Sequence, residues 1–215
     1  RMKAGEQGGI RDGISRSYVC ELENIGGEEI RARILEEDTN LSELPAELYL
    51  FQGLPKSDKM ELIIQKMTEL GVYRIVPVSM KRSVVKLDKK KADSKVKRWN
   101  MISESAAKQS KRSIIPEIMP VCTFNEALEM SQQLDVKLLP YECADGMAKT
   151  KKIIENLKGN ESIGIFIGPE GGYDLDELSK AKEEGWEEIT LGKRILRTET
   201  AGMMLMSVLM YMNEK

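Results

Sequence analysis

The chain has 215 residues, 41% of them hydrophobic and 32% charged, with a net charge of −2, which suits a soluble globular protein of one large domain or a small domain beside a medium one. It contains no histidine, which excludes Ser-His-Asp and Cys-His nucleophilic machinery and histidine-based zinc sites. The three cysteines, Cys20, Cys122 and Cys143, are odd in number and far apart, which argues for a reducing, cytoplasmic setting and against both a disulfide framework and a metal site.

The longest apolar run is far shorter than the ~20 residues that cross a bilayer, and no signal peptide pattern is present. The first residue is Arg1, so the natural start is expected to lie upstream. Charge is unevenly spread. Between Lys81 and Arg112, twelve Lys/Arg face three acids, +9 in 32 residues, so the remainder carries −11. A basic belt on an acidic body suggests local phosphate binding, although a solvated lysine-rich helix face gives the same pattern.

In chain order, residues 1–45 read as a small β unit. Glycines punctuate its start, Tyr18–Leu22 and Ile30–Leu35 read as strands, and Ile25-Gly26-Gly27-Glu28 is the turn between them. Alternation of Ile30, Ala32 and Ile34 with Arg31 and Arg33 predicts a half-buried strand. A polar linker follows and ends at Pro45. From there strands and helices alternate. Strands are expected at 48–52, 75–78, 118–121, 136–141, 162–167 and 187–191, and helices at 59–70, 93–110, 125–133, 147–158, 174–184 and 199–212. This pattern is an α/β domain over 46–215 with a mostly parallel sheet, in which the charge-free run Ser162–Ile167 is central. The last helix is apolar nearly all round, from Met203 to Met212. It is expected to pack into a second subunit as well as its own sheet, making a homodimer, or else to be wholly internal.

Ligands in such sheets sit beyond the carboxyl ends of the strands. Three stretches fall there: Tyr141-Glu142, Gly168-Pro169-Glu170-Gly171-Gly172, and Gly192 to Thr198. The glycine stretch lacks the Gly-Lys-Ser/Thr ending of a phosphate-binding Walker loop and the Gly-x-Gly-x-x-Gly spacing of a dinucleotide fold. Its glycines let a ligand touch bare backbone. In the last stretch Thr198 is a plausible helix cap, with Glu199 in the first turn where the helix dipole favours an acid. Arg194 and Arg197 at a strand end call for an anionic partner.

These residues resemble a known family. Ile167 to Gly172, followed some twenty residues later by Leu191-Gly192-x-Arg194-Ile195-Leu196-Arg197-x-Glu199-Thr200-Ala201, is similar to the SPOUT (trefoil-knot) RNA methyltransferases, and most of all to the small-subunit rRNA uridine-N3 methyltransferases. Lys59-Met60-Glu61 through Val72, Arg82-Ser83, Glu104 through Arg112, and Arg1-Met2-Lys3-x-Gly5 extend the likeness over essentially the whole chain. The resemblance implies a knotted C-terminal domain with a PUA-like N-terminal β-barrel, incomplete here. It implies S-adenosylmethionine as methyl donor and N3 of one uracil near the 3′ end of 16S rRNA as acceptor, with a homodimer and neither metal nor membrane. It places the cofactor among Leu139, Tyr141, Glu142, Ile167, Gly168, Pro169, Glu170, Gly171, Gly172, Leu191, Gly192, Ile195, Leu196, Thr200 and Ala201. Arg197 and Glu199 face the target base, and Arg1, Lys3, Arg82, Lys108, Gln109, Arg112 and Arg194 hold RNA. Another SPOUT specificity, such as ribose 2′-O methylation, and a non-catalytic ribosome-assembly protein are the competing readings. Tyr173 stands where the family often has Phe.

Overall fold

The computed structural model describes residues 3–14, 16–26, 29–38, 42–142 and 146–214. The N-terminal part is a three-stranded antiparallel sheet of β1 (Gln7–Arg11), β2 (Ser17–Gly26) and β3 (Glu29–Glu37), in that order. The sequence signals β2 and β3 but not β1, whose Gln-Gly-Gly-Ile-Arg offers no alternation. Register shifts between Val19 and Cys20 and between Leu22 and Asn24 twist the central strand. Ser17, Cys20 and Leu22 are buried, whereas Ile30 and Ile34 are 67% and 59% exposed. The expected half-buried face of β3 is therefore uncovered among the described residues, and the turn residues Gly27 and Glu28 lie outside them.

Residues 47–213 form a three-layer α/β body. Its sheet is built from β4 (Glu47–Gly53), β5 (Arg74–Ser79), β6 (Glu117–Ile118), β7 (Cys122–Thr123), β8 (Val136–Pro140), β9 (Ser162–Ile167) and β10 (Glu187–Ile189). The order is β10-β8-β9-β4-β5-β6, with β7 also on β5, and every pairing is parallel. The helices are α1 (Lys59–Glu69), α2 (Lys89–Gln109), α3 (Phe124–Met130), α4 (Met147–Glu155), α5 (Leu175–Glu183) and α6 (Thr198–Asn213). None is long and apolar enough to cross a membrane.

Side-chain alternation on the two central strands builds one core on each face of the sheet. Leu48, Leu50, Ile163, Ile165 and Ile167 pack with Met60, Ile63, Ile64 and Met67 of α1 and Leu205, Met206 and Leu209 of α6. Phe51 and Phe166 face the other way, onto Phe124 of α3, Leu178 and Ala181 of α5, and Trp186. Gly164 makes this second layer possible: a Cβ there would stand 2.8 Å from Leu134 and 2.9 Å from Trp186. The Phe51, Phe166 and Trp186 rings then meet at 5.2–5.7 Å, the spacing favoured by aromatic quadrupoles.

Three boundaries differ from the sequence expectation. Strand β2 runs on through Ile25 and Gly26, expected in the turn, which pair with Ile30 and Glu29 of β3. Helix α2 starts at Lys89 rather than Asp93, because the Asp88 side chain accepts the Lys91 N–H and caps it. The strand expected at 118–121 splits into β6 and β7, with Pro120 between them, a residue that cannot donate to a ladder. Elsewhere the limits agree to within three residues: Gly71 (φ +91°) terminates α1, and Asp174 caps α5 in a reciprocal capping box with Glu177, while α3 and α4 each end three residues early, at Met130 and Glu155.

The segment after α2 joins the small sheet to the large body. Ile115 N–H donates to Gly13 O, and Ser42 Oγ donates to Lys111 O. Arg112 is 6% exposed and donates to Glu43 and to the carbonyls of Thr68 and Val72. This overturns its assignment as an RNA contact. All its donors point inward, because the carbonyls at the end of α1 and the Glu43 carboxylate need them.

Candidate active site

The carboxyl ends of β8, β9 and β10 open into one cleft of about 530 Å³, within the range of small-molecule sites. Its lining takes Tyr141 and Glu142 from the loop after β8, Gly168 to Gly172 from the loop after β9, and Leu191, Gly192, Arg194, Ile195, Leu196 and Arg197 from the loop after β10. Ile167, Tyr173, Thr198 and Ala201 complete the wall, with Lys59 of α1 and Arg82 from beyond β5.

Each loop is fixed by packing and hydrogen bonds. A Cβ on Gly171 would stand 2.9 Å from Arg82 O, so only glycine lets these backbones meet; Arg82 Nη1 donates back to Gly171 O at 3.3 Å. Gly172 (φ +68°) closes a turn by donating to Pro169 O, and Gly192 sits at φ +113°. Both are conformations that side chains avoid. Thr150 Oγ1 donates to Thr190 O and accepts its N–H, pinning the end of β10.

Thr198 is not the cap expected of it. Arg197 occupies the N-cap position of α6 without a side-chain cap bond. Thr198 lies one residue further in, donates from Oγ1 to Gly168 O at 2.7 Å and accepts from Gln52 Nε2 at 2.9 Å. It thus stitches the loops after β9 and β10 to the end of β4. A hydroxyl can donate and accept at once, so it serves both.

The charges converge on Lys59. Its Nζ lies 3.0 Å from Glu170 Oε1 and 3.3 Å from Glu199 Oε2. The Lys56 N–H also donates to Glu170, at 3.1 and 3.3 Å. The Lys59 pKa is raised, first by its interaction as donor with the Glu170 carboxylate and, against some desolvation, by Glu199. For Glu170, burial pushes the carboxyl up, but the Lys59 ammonium and the backbone N–H groups of Glu170 and Lys56 outweigh it and hold the pKa below its ordinary value. Glu199 Oε2 is buried against Lys59, an ion pair whose geometry falls short of a hydrogen bond.

Most of the residues picked out by sequence come together here, but not all. Leu139 is fully buried beneath the cleft in the aromatic core, so it supports the wall without lining it. Thr200 is exposed on α6 and Glu199 is ion-paired with Lys59, neither being among the lining residues. Lys3, Lys108 and Gln109 are exposed away from the lining; Lys108 is paired with Glu104 at 2.6 Å. Arg1 lies outside the described residues. Sequence reasoning missed Lys59, although a cation opening a helix just after a strand end was a usable signal, since it opposes the helix dipole.

A parallel α/β sheet with a glycine-walled cleft beyond its strand ends defines a protein that binds a small organic ligand at a switch in its loops. The RNA methyltransferase domain family matches residues 42–210. The chain is 38% identical over 198 residues to ribosomal RNA small subunit methyltransferase E of Bacillus subtilis, covering 91% of this chain and 77% of that one. It is 32% identical over 210 residues to the protein of the same name from Aquifex aeolicus, covering 97% and 86%. Among solved structures, ribosomal RNA small subunit methyltransferase E from Neisseria gonorrhoeae bound to S-adenosyl methionine matches with a TM-score of 0.82 at 32% identity, over 96% of this chain and 83% of that one. The chain belongs to the RNA methyltransferase family.

Proposed function

We propose that this chain transfers the methyl group of S-adenosylmethionine to N3 of a uridine in the 16S rRNA of the small ribosomal subunit, in the cytoplasm. The observation that carries this reading is the convergence of three strand-end loops on one cleft whose rim holds Arg197 and Arg194. The family match and the relatives' names supply the reaction class.

The cleft suits this cofactor. Around Gly172 and Gly192 nothing lies within 4 Å of where a Cβ would stand, so bare backbone is open to a ligand. Ile167, Leu191, Leu196 and Ala201 offer apolar wall for an adenine ring, with Tyr141 beside them. When bound, S-adenosylmethionine supplies an electrophilic methyl group. The chain's own task is positioning, which dominates such displacements. Uracil N3 carries a proton and is a poor nucleophile until relieved of it. With no histidine in the chain, Glu199 is the proton acceptor, and Arg197 faces the negative charge that spreads onto the uracil carbonyl oxygens. Arg82 and Arg194 at the cleft, and Lys3, Lys108 and Gln109 further out, hold the RNA backbone. The base leaves its stack to reach the site.

The same reading divides the chain into a PUA-like unit over 1–45 and a SPOUT domain with a trefoil knot over 46–215. It also makes the protein a homodimer through α6, whose Tyr211 and Met212 are 79% and 48% exposed. Two measurements test the function together: calorimetric titration with S-adenosylmethionine, and mass mapping of 16S rRNA from a deletion strain. Binding heat and a missing methyl on a uracil base are expected. A missing ribose methyl, or no heat, would sink the reading.

A further inference from the structure

Residues 55–59 carry three local costs in succession. Ser57 sits at φ +56°, a conformation a serine adopts only under constraint. Asp58 occupies the N-cap position of α1 yet makes no side-chain cap bond, forgoing a stabilisation that an aspartate usually supplies there. Lys59 then places a cation on the first turn, against the helix dipole. Nothing in the core requires this, since α1 packs through Met60, Ile63, Ile64 and Met67. What the segment achieves is to wrap around the Glu170 carboxylate and present Lys59 to the cleft.

An ammonium has three donors. Its ion pairs with Glu170 at 3.0 Å and Glu199 at 3.3 Å occupy two directions, and the side chain keeps 26% of its surface exposed in the cleft wall. The third donor is free for a ligand. Glu199, by contrast, pairs with Lys59 and is not among the lining residues. Resting on the functional reading above, we propose that Lys59 is a further catalytic residue. It donates from its cleft-facing ammonium to a carbonyl oxygen of the acceptor uracil, while Glu170 and Glu199 position it. The proton on N3 passes to the Glu199 carboxylate and from there to water, and the N3–methyl bond forms as the methyl–sulfur bond of S-adenosylmethionine breaks, its electron pair leaving on the sulfur of S-adenosylhomocysteine. The charge displaced onto the uracil oxygens meets a cation already in place. The Glu170 side chain is thereby an anchor for Lys59, and the backbone of its loop is what faces the cofactor.

The test is Lys59→Met and Lys59→Arg, assayed in single turnover on small subunits at saturating S-adenosylmethionine, with cofactor affinity measured by calorimetry and stability by thermal melting. Lys59→Met is expected to slow methyl transfer about 100-fold, the usual cost of one oxyanion donor, with cofactor affinity within about threefold. Lys59→Arg restores the rate to within about tenfold, because it returns a donor of poorer fit. The groups facing the ammonium are Glu170 and Glu199, with Arg82, Glu142, Arg194 and Arg197 around the cleft. None supplies a second ammonium, so the Lys59→Met rate keeps rising toward the pH at which uracil N3 ionises unaided. A purely structural lysine would lower melting and cofactor affinity while leaving the pH profile in place. Should Lys59→Met not fold, Glu170→Gln loosens the anchor and keeps the cation; a rate reduced several-fold with cofactor affinity retained is the expected result. Lys59→Met or Glu170→Gln at the wild-type rate overturns the inference alone. A wild-type protein that transfers no methyl overturns the functional reading and this inference with it.

Discussion

Glu199 and Thr198 are neighbours with separable roles. Glu199→Gln keeps the shape and removes the proton acceptor. Single-turnover methylation at saturating cofactor should fall about 100-fold, with calorimetric affinity for S-adenosylmethionine unchanged; a wild-type rate would remove Glu199 from the chemistry. Thr198→Val keeps the volume and removes both hydrogen bonds, leaving Gly168 O without its donor and Gln52 Nε2 with Gly53 O alone. Urea unfolding should show a loss of about 1–2 kcal/mol, and cofactor affinity should drop because the two loops part. The glycine and arginine positions of the cleft were legible from sequence, since glycine at a strand end has few other uses. The fate of Arg112 was not. A basic run reads the same whether an arginine points to solvent or back onto the carbonyls of α1, and only the fold brings Glu43 beneath it.

The segment that holds the two parts of the molecule together is short and polar. Arg112 and Glu43 keep 4% and 13% of their side-chain surface, so Arg112→Met takes the counter-charge from Glu43, which keeps only the Ser113 and Ile114 N–H donors, and removes the guanidinium from the Val72 carbonyl. The expected cost is about 3 kcal/mol or more, read as a lower urea midpoint, with the small sheet becoming the first part to exchange its amides. At the other end, α6 buries Thr198, Gly202, Leu205, Met206, Leu209 and Asn213 on one face and leaves Tyr211 outside. Tyr211→Glu should convert a dimer to a monomer in sedimentation at micromolar concentration, whereas a protein monomeric from the start would show no change. Helix and strand limits were readable wherever periodicity was long, as in α1 and β9. They failed where a glycine-rich strand had no alternation (β1), where a lysine run hid a capped start (α2), and where a proline cut a strand (β6 and β7).

Acid and base dependence belong to the whole molecule. The carboxyls of Asp88, Glu126, Asp135 and Asp174 are held below their ordinary range, by the Lys91 N–H, the Thr123 N–H, the Ser162 N–H and the Lys81 ammonium respectively; Glu170 joins them despite its burial. A depressed native pKa means the unfolded chain binds protons more readily. Their stabilisation is therefore complete above the unfolded value of roughly 4 and is lost as pH falls through the native values. Lys59 and Lys81 are raised, so their share is present below about pH 10 and lost only above it. With no histidine, denaturant midpoints should stay flat from about pH 5 to 8 and decline below about pH 4.

The strand order has a consequence for synthesis. The centre of the sheet pairs Glu47 with Ser162 and Gln52 with Ile167, so β4 waits for a partner more than a hundred residues downstream. At the usual pace of translation, about 5–20 residues per second, that wait lasts roughly 6–23 s. Through it, the nascent chain carries an apolar strand, Leu48 to Phe51, with one edge open. Such non-local pairing is slow to form and prone to association meanwhile. The segment 48–51 is accordingly a stretch whose cover on one edge depends on the emergence of β9.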